Sequence, residues 1–106
     1  MEPFLLVFNT CPDEDTARRI ARTLVEQRLA ACVNILPGLS SIYAWKGDIE
    51  EGEECLLLIK TREEAYGALE KTLQSLHPYE LPEIVAVPIA KGLPPYLQWI
   101  QESTSP

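Results

Sequence analysis

Two continuous apolar runs constrain the fold of this chain more than any other feature of its sequence. The first covers Phe4–Phe8 and the second covers Cys55–Ile59. A strand that is apolar at every position, without alternation, is typical of a strand covered on both faces. Each run is followed by an amphipathic segment with helical spacing, over about 13–29 and about 61–76. The sequence therefore predicts two central strands, each leading into a helix.

Both predicted helices begin with recognisable capping residues. Asp13 precedes the acidic Glu14 and Asp15, which is typical of an N-cap and a first turn that complement the helix dipole. Thr61, with Glu64 three residues later, predicts a capping box at the start of the second helix.

The other strand patterns contain prolines, which cannot donate a hydrogen bond to a neighbouring strand. Pro37-Gly38 interrupts residues 32–45 and predicts a bulge on an edge strand, which a turn at Lys46-Gly47-Asp48 joins to the second apolar run. Pro88 lies inside residues 84–90 and predicts a second edge strand. A short terminal helix begins near Pro94-Pro95.

The predicted order is β-α-β-β-α-β with one further helix, in 106 residues that suffice for one core. This is the split βαβ arrangement, an α+β ferredoxin-like sandwich whose first and third strands are central. We predict one domain over residues 1–106.

The second strand is too long for the rest of the predicted domain. Residues 32–45 would extend roughly 45 Å at about 3.3 Å per residue, whereas the helices at 1.5 Å per residue would cover only about 25 Å. The hairpin must project beyond its own domain and carry four apolar residues into solvent: Ile42, Tyr43, Trp45 and Ile49. An exposed apolar arm of this size normally docks on another subunit.

Charge excludes several classes of partner. The net charge is −7, and both nucleic acids and anionic membranes require a basic surface. The N-terminal apolar run is too short for a signal peptide or a membrane span, and the three cysteines form no CxxC pair. We therefore expect a cytoplasmic protein with reduced thiols, in which Cys32 and Cys55 are core residues.

The connector His77–Ile84 contains the candidate ligands of a cation. Its two prolines hold it extended, and it carries the single histidine of the chain with Glu80 and Glu83. Imidazole suits Cu(II) and Zn(II). Cys11, at a strand-to-helix turn, is expected to have a lowered thiol pKa and could bind Cu(I). The alternative, a rigid connector whose polar groups are solvated, fits the spacing as well.

Nothing in the sequence predicts catalysis. No motif links the histidine to a serine or cysteine nucleophile, and there is no phosphate-binding glycine loop and no spaced Cys/His metal motif. We predict that the protein is not an enzyme. Lys60, at the end of an apolar strand, could hold an anion or pair with a glutamate, and we expect the pair with a glutamate.

Several stretches taken together closely resemble the CutA family of divalent-cation tolerance proteins. They cover nearly the whole chain and comprise residues 9–13, 28–35, 41–47, 54–61, 77–84 and Tyr96–Trp99. The resemblance implies a cytoplasmic homotrimer of ferredoxin-like subunits, similar in architecture to PII signalling proteins. It also implies an association with copper and other divalent cations, better attested as tolerance and binding than as catalysis.

The resemblance does not extend to every ligand position. Some bacterial members carry a copper-liganding cysteine where this chain has Asn9, and its own cysteine is Cys11. Some also carry two histidines before Pro-Tyr, where this chain has Leu76-His77. Three functions therefore stay open: a copper-binding tolerance protein, a PII-like trimeric sensor of a small ligand, and a trimeric interaction scaffold.

Overall fold

The predicted order of strands and helices is present in the computed structural model, which describes residues 3–106. The elements are β1 (Phe4–Cys11), α1 (Glu14–Glu26), β2 (Cys32–Trp45), β3 (Asp48–Arg62), α2 (Glu63–Leu76), β4 (Val85–Pro88) and α3 (Pro94–Ser103). They form one four-stranded antiparallel sheet in the order β2-β3-β1-β4. The ferredoxin-like arrangement is confirmed, and the two apolar runs are its central strands.

Prolines mark the edges of the sheet, as predicted. The pairing of β2 with β3 shifts between Leu36 and Leu39, where Gly38 has a φ of 79°. Lys46 and Gly47 form the hairpin turn with φ angles of 51° and 88°, the left-handed geometry of a tight hairpin. Strand β4 is shorter than the predicted 84–90.

Helices α1 and α2 cover one face of the sheet. Directly paired residues point to the same face, so Val7 and Ile59 lie together there with Leu57. All three side chains are fully buried. They pack against side chains of both helices: Ala17, Ile20, Leu24, Leu69 and Leu73.

The opposite face of the sheet is only partly covered, and we call it the open face. Helix α3 packs at one end of it, where Ile100 contacts Phe4. The rest presents apolar side chains that are half-buried or exposed in the subunit: Leu6, Phe8, Leu36, Leu56, Leu58, Val85 and Val87. The central strands are thus apolar on both faces, but the helices of their own subunit bury one face only.

One predicted cap is correct and the other is wrong. Asp13 accepts a hydrogen bond from the Thr16 N–H at 2.8 Å. The capping box at Thr61 does not form, because β3 continues through Arg62 and keeps Thr61 in the sheet. Thr61 is buried and its hydroxyl donates to the Leu29 carbonyl at 2.7 Å, so it joins β3 to the end of the α1 segment.

The hairpin of β2 and β3 projects beyond the domain, as its length predicts. The molecule measures 44 Å along its longest axis and 25 and 22 Å along the others. At the tip, Ile42 and Ile49 are 71% and 75% exposed. We call residues 39–54 the arm.

Two expectations about β2 and β3 are wrong. Lys60 does not pair with a glutamate among residues 3–106; its ammonium donates to the Asn34 side chain and lies 3.9 Å from the Cys32 sulfur. Cys32 pairs with Lys60 on the open face and is half-buried, whereas Cys55 is a core residue as predicted.

Candidate functional site

The connector 77–84 is fastened to β1 through its histidine. His77 Nε2 lies 2.8 Å from the Thr10 carbonyl oxygen, which can only accept, so Nε2 carries the proton. His77 Nδ1 then accepts a hydrogen bond from the Tyr79 N–H at 3.2 Å. Burial lowers the pKa of His77, and the Thr10 carbonyl and Glu54 oppose this shift in part. The imidazole is therefore neutral near pH 7, with both ring nitrogens engaged.

Asn9 holds the other end of the connector. Its side chain is fully buried, and its Nδ2 donates to the Glu83 carbonyl at 2.8 Å. Its Oδ1 accepts from the Cys11 thiol at 3.3 Å. Asn9 and His77 thus attach both ends of the connector to one strand, and we call these contacts the latch.

The expected low pKa of Cys11 is wrong. Cys11 is the last residue of β1 and pairs with Cys55 on the helix-covered face, where it is fully buried. Burial raises the pKa of the Cys11 thiol to about 12, and negative charge on neighbouring acidic groups adds to the increase. Its sulfur lies 3.7 Å from His77 Nε2, a proximity that no sequence pattern predicts. A protonated thiol beside a protonated Nε2 is not an activated nucleophile.

Glu54 and Tyr79 join the connector to the arm. The Tyr79 hydroxyl donates to a Glu54 carboxylate oxygen at 2.6 Å. Burial raises the pKa of the Tyr79 phenol, and the hydrogen bond to Glu54 raises it further, so the phenol keeps its proton. No sequence motif assigns a role to Glu54.

Between the arm and the connector lies an open cleft of about 720 Å³. Glu80 and Glu83, both exposed, line it together with the half-buried Glu54. The predicted interface residues Ile42, Tyr43 and Trp45 line its arm side, together with Ser41 and Ala44; Thr10, Pro78, Tyr79 and Leu81 complete the lining. Tyr43 and Ile42 are exposed, and Trp45 is half-buried.

The predicted metal ligands do not form a complete metal centre within one subunit. Cys11 and His77 are adjacent and buried, whereas Glu80 and Glu83 lie on the solvent side of the connector. Over residues 3–106, no three histidine, cysteine or acidic residues lie close enough to hold one ion. The donors fit a divalent cation by type, but His77 can offer a lone pair only if Nδ1 releases the Tyr79 N–H.

Comparison with known proteins gives the family. A family model described as CutA1 divalent ion tolerance protein matches residues 5–103. The chain belongs to the CutA1 family. The family description names tolerance of divalent ions and no reaction.

Relatives support this assignment along the whole chain. The divalent-cation tolerance protein CutA of Thermus thermophilus is 54% identical over 98% of this chain and 99% of its own length. Protein CutA of Mus musculus is 52% identical over 92% of this chain, which spans only 55% of that relative. The crystal structure of CutA from Xylella fastidiosa superimposes with a TM-score of 0.94 at 49% identity, over 96% of this chain and 98% of that one.

The described part of this CutA1 chain contains no helix that is long and apolar enough to cross a membrane. The N-terminal apolar run lies in strand β1, as predicted.

Proposed function

We propose that this CutA1 protein contributes to divalent-cation tolerance by binding copper, or another divalent cation, at the connector of a homotrimer. The observation that carries the metal proposal is the position of the connector carboxylates. Glu80 and Glu83 lie beside the cleft on a segment that the latch holds in place. Carboxylate oxygens and an imidazole nitrogen suit a divalent cation such as Cu(II).

Binding in this arrangement should be of modest affinity. His77 must exchange a hydrogen bond for the metal, and one subunit supplies too few donors for a closed set. Ligands from a neighbouring subunit would complete the coordination. Cys11 enters the set only if its thiol loses the proton that its raised pKa retains.

The homotrimer is supported by surfaces that one subunit leaves uncovered. The open face presents Leu58, Val85 and Val87 beside further apolar side chains, and the arm exposes Ile42 and Ile49. Exposed apolar surfaces of this kind mark protein interfaces. Further copies of the same chain are the occupant that we propose, with Ile42, Tyr43 and Trp45 in the contact.

We propose that the protein is not an enzyme and acts in the cytoplasm. The nearest approach to a catalytic pair, Cys11 and His77, is buried and unactivated. The three cysteines are free, which suits a reducing compartment.

Titration of Cu(II) into the protein by isothermal calorimetry tests the metal proposal. We expect binding by wild type at pH 7, loss of binding in His77→Ala, and unchanged binding in Cys11→Ser and in the control Glu53→Gln. Glu53 is an exposed residue of β3 that does not line the cleft. Because His77→Ala also removes part of the latch, the double variant Glu80→Gln/Glu83→Gln provides a second test that leaves the imidazole in place. Unchanged copper binding in both variants would contradict the proposal.

A second candidate function is a PII-like sensor of a small ligand. The observation that favours it is the cleft itself, because about 720 Å³ lies within the range of small-molecule pockets. The third possibility, an interaction scaffold, would use the same arm without a ligand.

A further inference from the structure

The lining of the cleft combines aromatic rings with carboxylates and no basic group. Tyr43, Trp45 and Tyr79 supply rings, and Leu81 supplies aliphatic surface. The charged residues in the lining are Glu54, Glu80 and Glu83; no lysine, arginine or histidine from residues 3–106 belongs to it. Rings and carboxylates together are the groups that recognise an organic cation.

Of the three carboxylates that line the cleft, Glu54 is the most buried. It is half-buried where the cleft meets β1, and the Tyr79 hydroxyl donates to one of its oxygens. A carboxylate has lone pairs for further donors, so Glu54 can still accept from a ligand ammonium. The hydrogen bond also fixes the ring of Tyr79 as one wall of the cleft.

The molecule already places a cation of its own at the edge of this cleft. The Lys46 ammonium lies 3.9 Å from a Glu80 oxygen and 5.5 Å from the centre of the Trp45 ring. An alkylammonium therefore contacts both kinds of group that line the cleft. Lys46 and Glu80 are well exposed, so this pair is weak and a ligand can displace it.

We infer that the cleft binds a small organic ammonium ion with an apolar body. The ammonium contacts Glu54 and the apolar body lies against Tyr79, beside the arm residues Tyr43 and Trp45 that the proposed homotrimer also uses, while Lys46 competes for the outer carboxylate. This inference rests on the second function proposed above, the small-ligand sensor, and names its ligand class. Phosphate-bearing ligands such as nucleotides are disfavoured, because the lining would set carboxylates against phosphates without a cation between them.

Calorimetry with a matched pair of probes tests this inference on the wild-type protein. The probes are phenethylammonium and its neutral analogue 2-phenylethanol, with ATP as an anionic comparison. EDTA is present throughout, so failure of the copper proposal does not affect the result. We expect binding of phenethylammonium, at least about tenfold weaker binding of 2-phenylethanol, and none of ATP.

Three variants locate the binding. Glu54→Gln should weaken phenethylammonium at least about tenfold. Glu53→Gln is the matched control, because it makes the same charge change one residue away on the other face of β3 and should leave affinity unchanged. Lys46→Gln should bind about two- to fivefold tighter, since it removes the competing ammonium. If Glu54→Gln has a lowered melting temperature, Glu83→Gln replaces it as the test.

Several results would overturn the inference. Equal affinity for 2-phenylethanol would make the cleft a plain apolar groove. Equal weakening by Glu53→Gln and Glu54→Gln would indicate attraction by the overall negative charge. Binding of ATP would show that the cleft accepts anions rather than cations. If none of the probes binds, the cleft is closed in the assembled protein.

Discussion

The latch joins the connector to β1, whereas the arm is the outer part of β2 and β3, and the two regions differ in how completely one subunit buries or hydrogen-bonds their side chains. At the latch, Asn9 and His77 are buried, and every buried side-chain nitrogen and oxygen of the described residues has a hydrogen-bond partner. At the arm, Ile42, Tyr43 and Ile49 are exposed to solvent.

This difference indicates that the latch serves folding of the subunit, whereas the arm serves its interactions. The latch stabilises the subunit and leaves His77 with no free lone pair, so its first role is structural. Many apolar side chains of the arm and the open face stay exposed or half-buried in the subunit, and the homotrimer proposed above would cover them. Binding of a ligand or a cation is therefore expected in the cleft between the two regions, where carboxylates are accessible and the backbone is held.

The largest effect is expected from a charge placed on the open face. Val87 is 44% exposed in the subunit and pairs with Leu6 there, so Val87→Glu should leave the subunit folded. If the face is buried between copies, each subunit would bury an unpaired carboxylate at a cost of roughly 3–5 kcal/mol. Sedimentation should then show dissociation with unchanged far-UV circular dichroism.

The control for this variant is Val25→Glu on α1, which is 42% exposed on the helix-covered side. It should leave the assembly intact. Equal masses for Val87→Glu and wild type would remove the open face from the interface.

A smaller effect is expected from breaking the latch. Asn9→Ala leaves the Glu83 carbonyl and the Cys11 thiol without their partner, and a lost buried hydrogen-bond partner costs about 1–3 kcal/mol. Urea unfolding should show this loss, whereas Gln74→Ala on the exposed side of α2 should be neutral. Unchanged stability of Asn9→Ala would mean that the connector is held by other contacts.

The smallest effect is expected from the protonation of His77. Its pKa is lowered in the folded protein mainly by burial, so below about pH 6.5, the ordinary value, the unfolded chain binds the proton first. The stability that neutral His77 provides is thus complete above pH 6.5 and is lost as pH falls below it, by at most about 1.4 kcal/mol per unit.

Urea midpoints measured between pH 7.5 and 5 check this dependence. His77→Gln, which keeps a side-chain donor but does not titrate, should show a shallower decline than wild type. Parallel curves for the two proteins would show that His77 is not the group responsible.

The fold could be predicted from the sequence because its signals are local and repeated. Proline at Pro37 and Pro88 identifies edge strands, and continuous apolar runs identify central ones. The prediction of a capping box at Thr61 is wrong because threonine is common both in strands and at helix N-caps. Pairing with Leu5 and the bond to Leu29 keep Thr61 in the sheet, and neither partner is near it in sequence.

The site was harder to predict because it depends on burial and on contacts between distant segments. The sequence positions of Cys11 and His77 do not indicate that the two side chains are adjacent. The position of Cys11 before a helix predicts a low thiol pKa, whereas its burial raises that pKa. Asn9 interrupts an apolar strand and was noted only as a departure from a ligand position. A polar residue inside such a strand must be hydrogen-bonded, and this was the available signal for the latch.

In the proposed homotrimer, two further copies of the chain cover the arm and the open face. Sedimentation equilibrium or light scattering of the wild-type protein at micromolar concentration, without metal or ligand, tests it most directly. We expect a single species with three times the 11.9 kDa mass of one chain. A species with the mass of one chain at that concentration would contradict it.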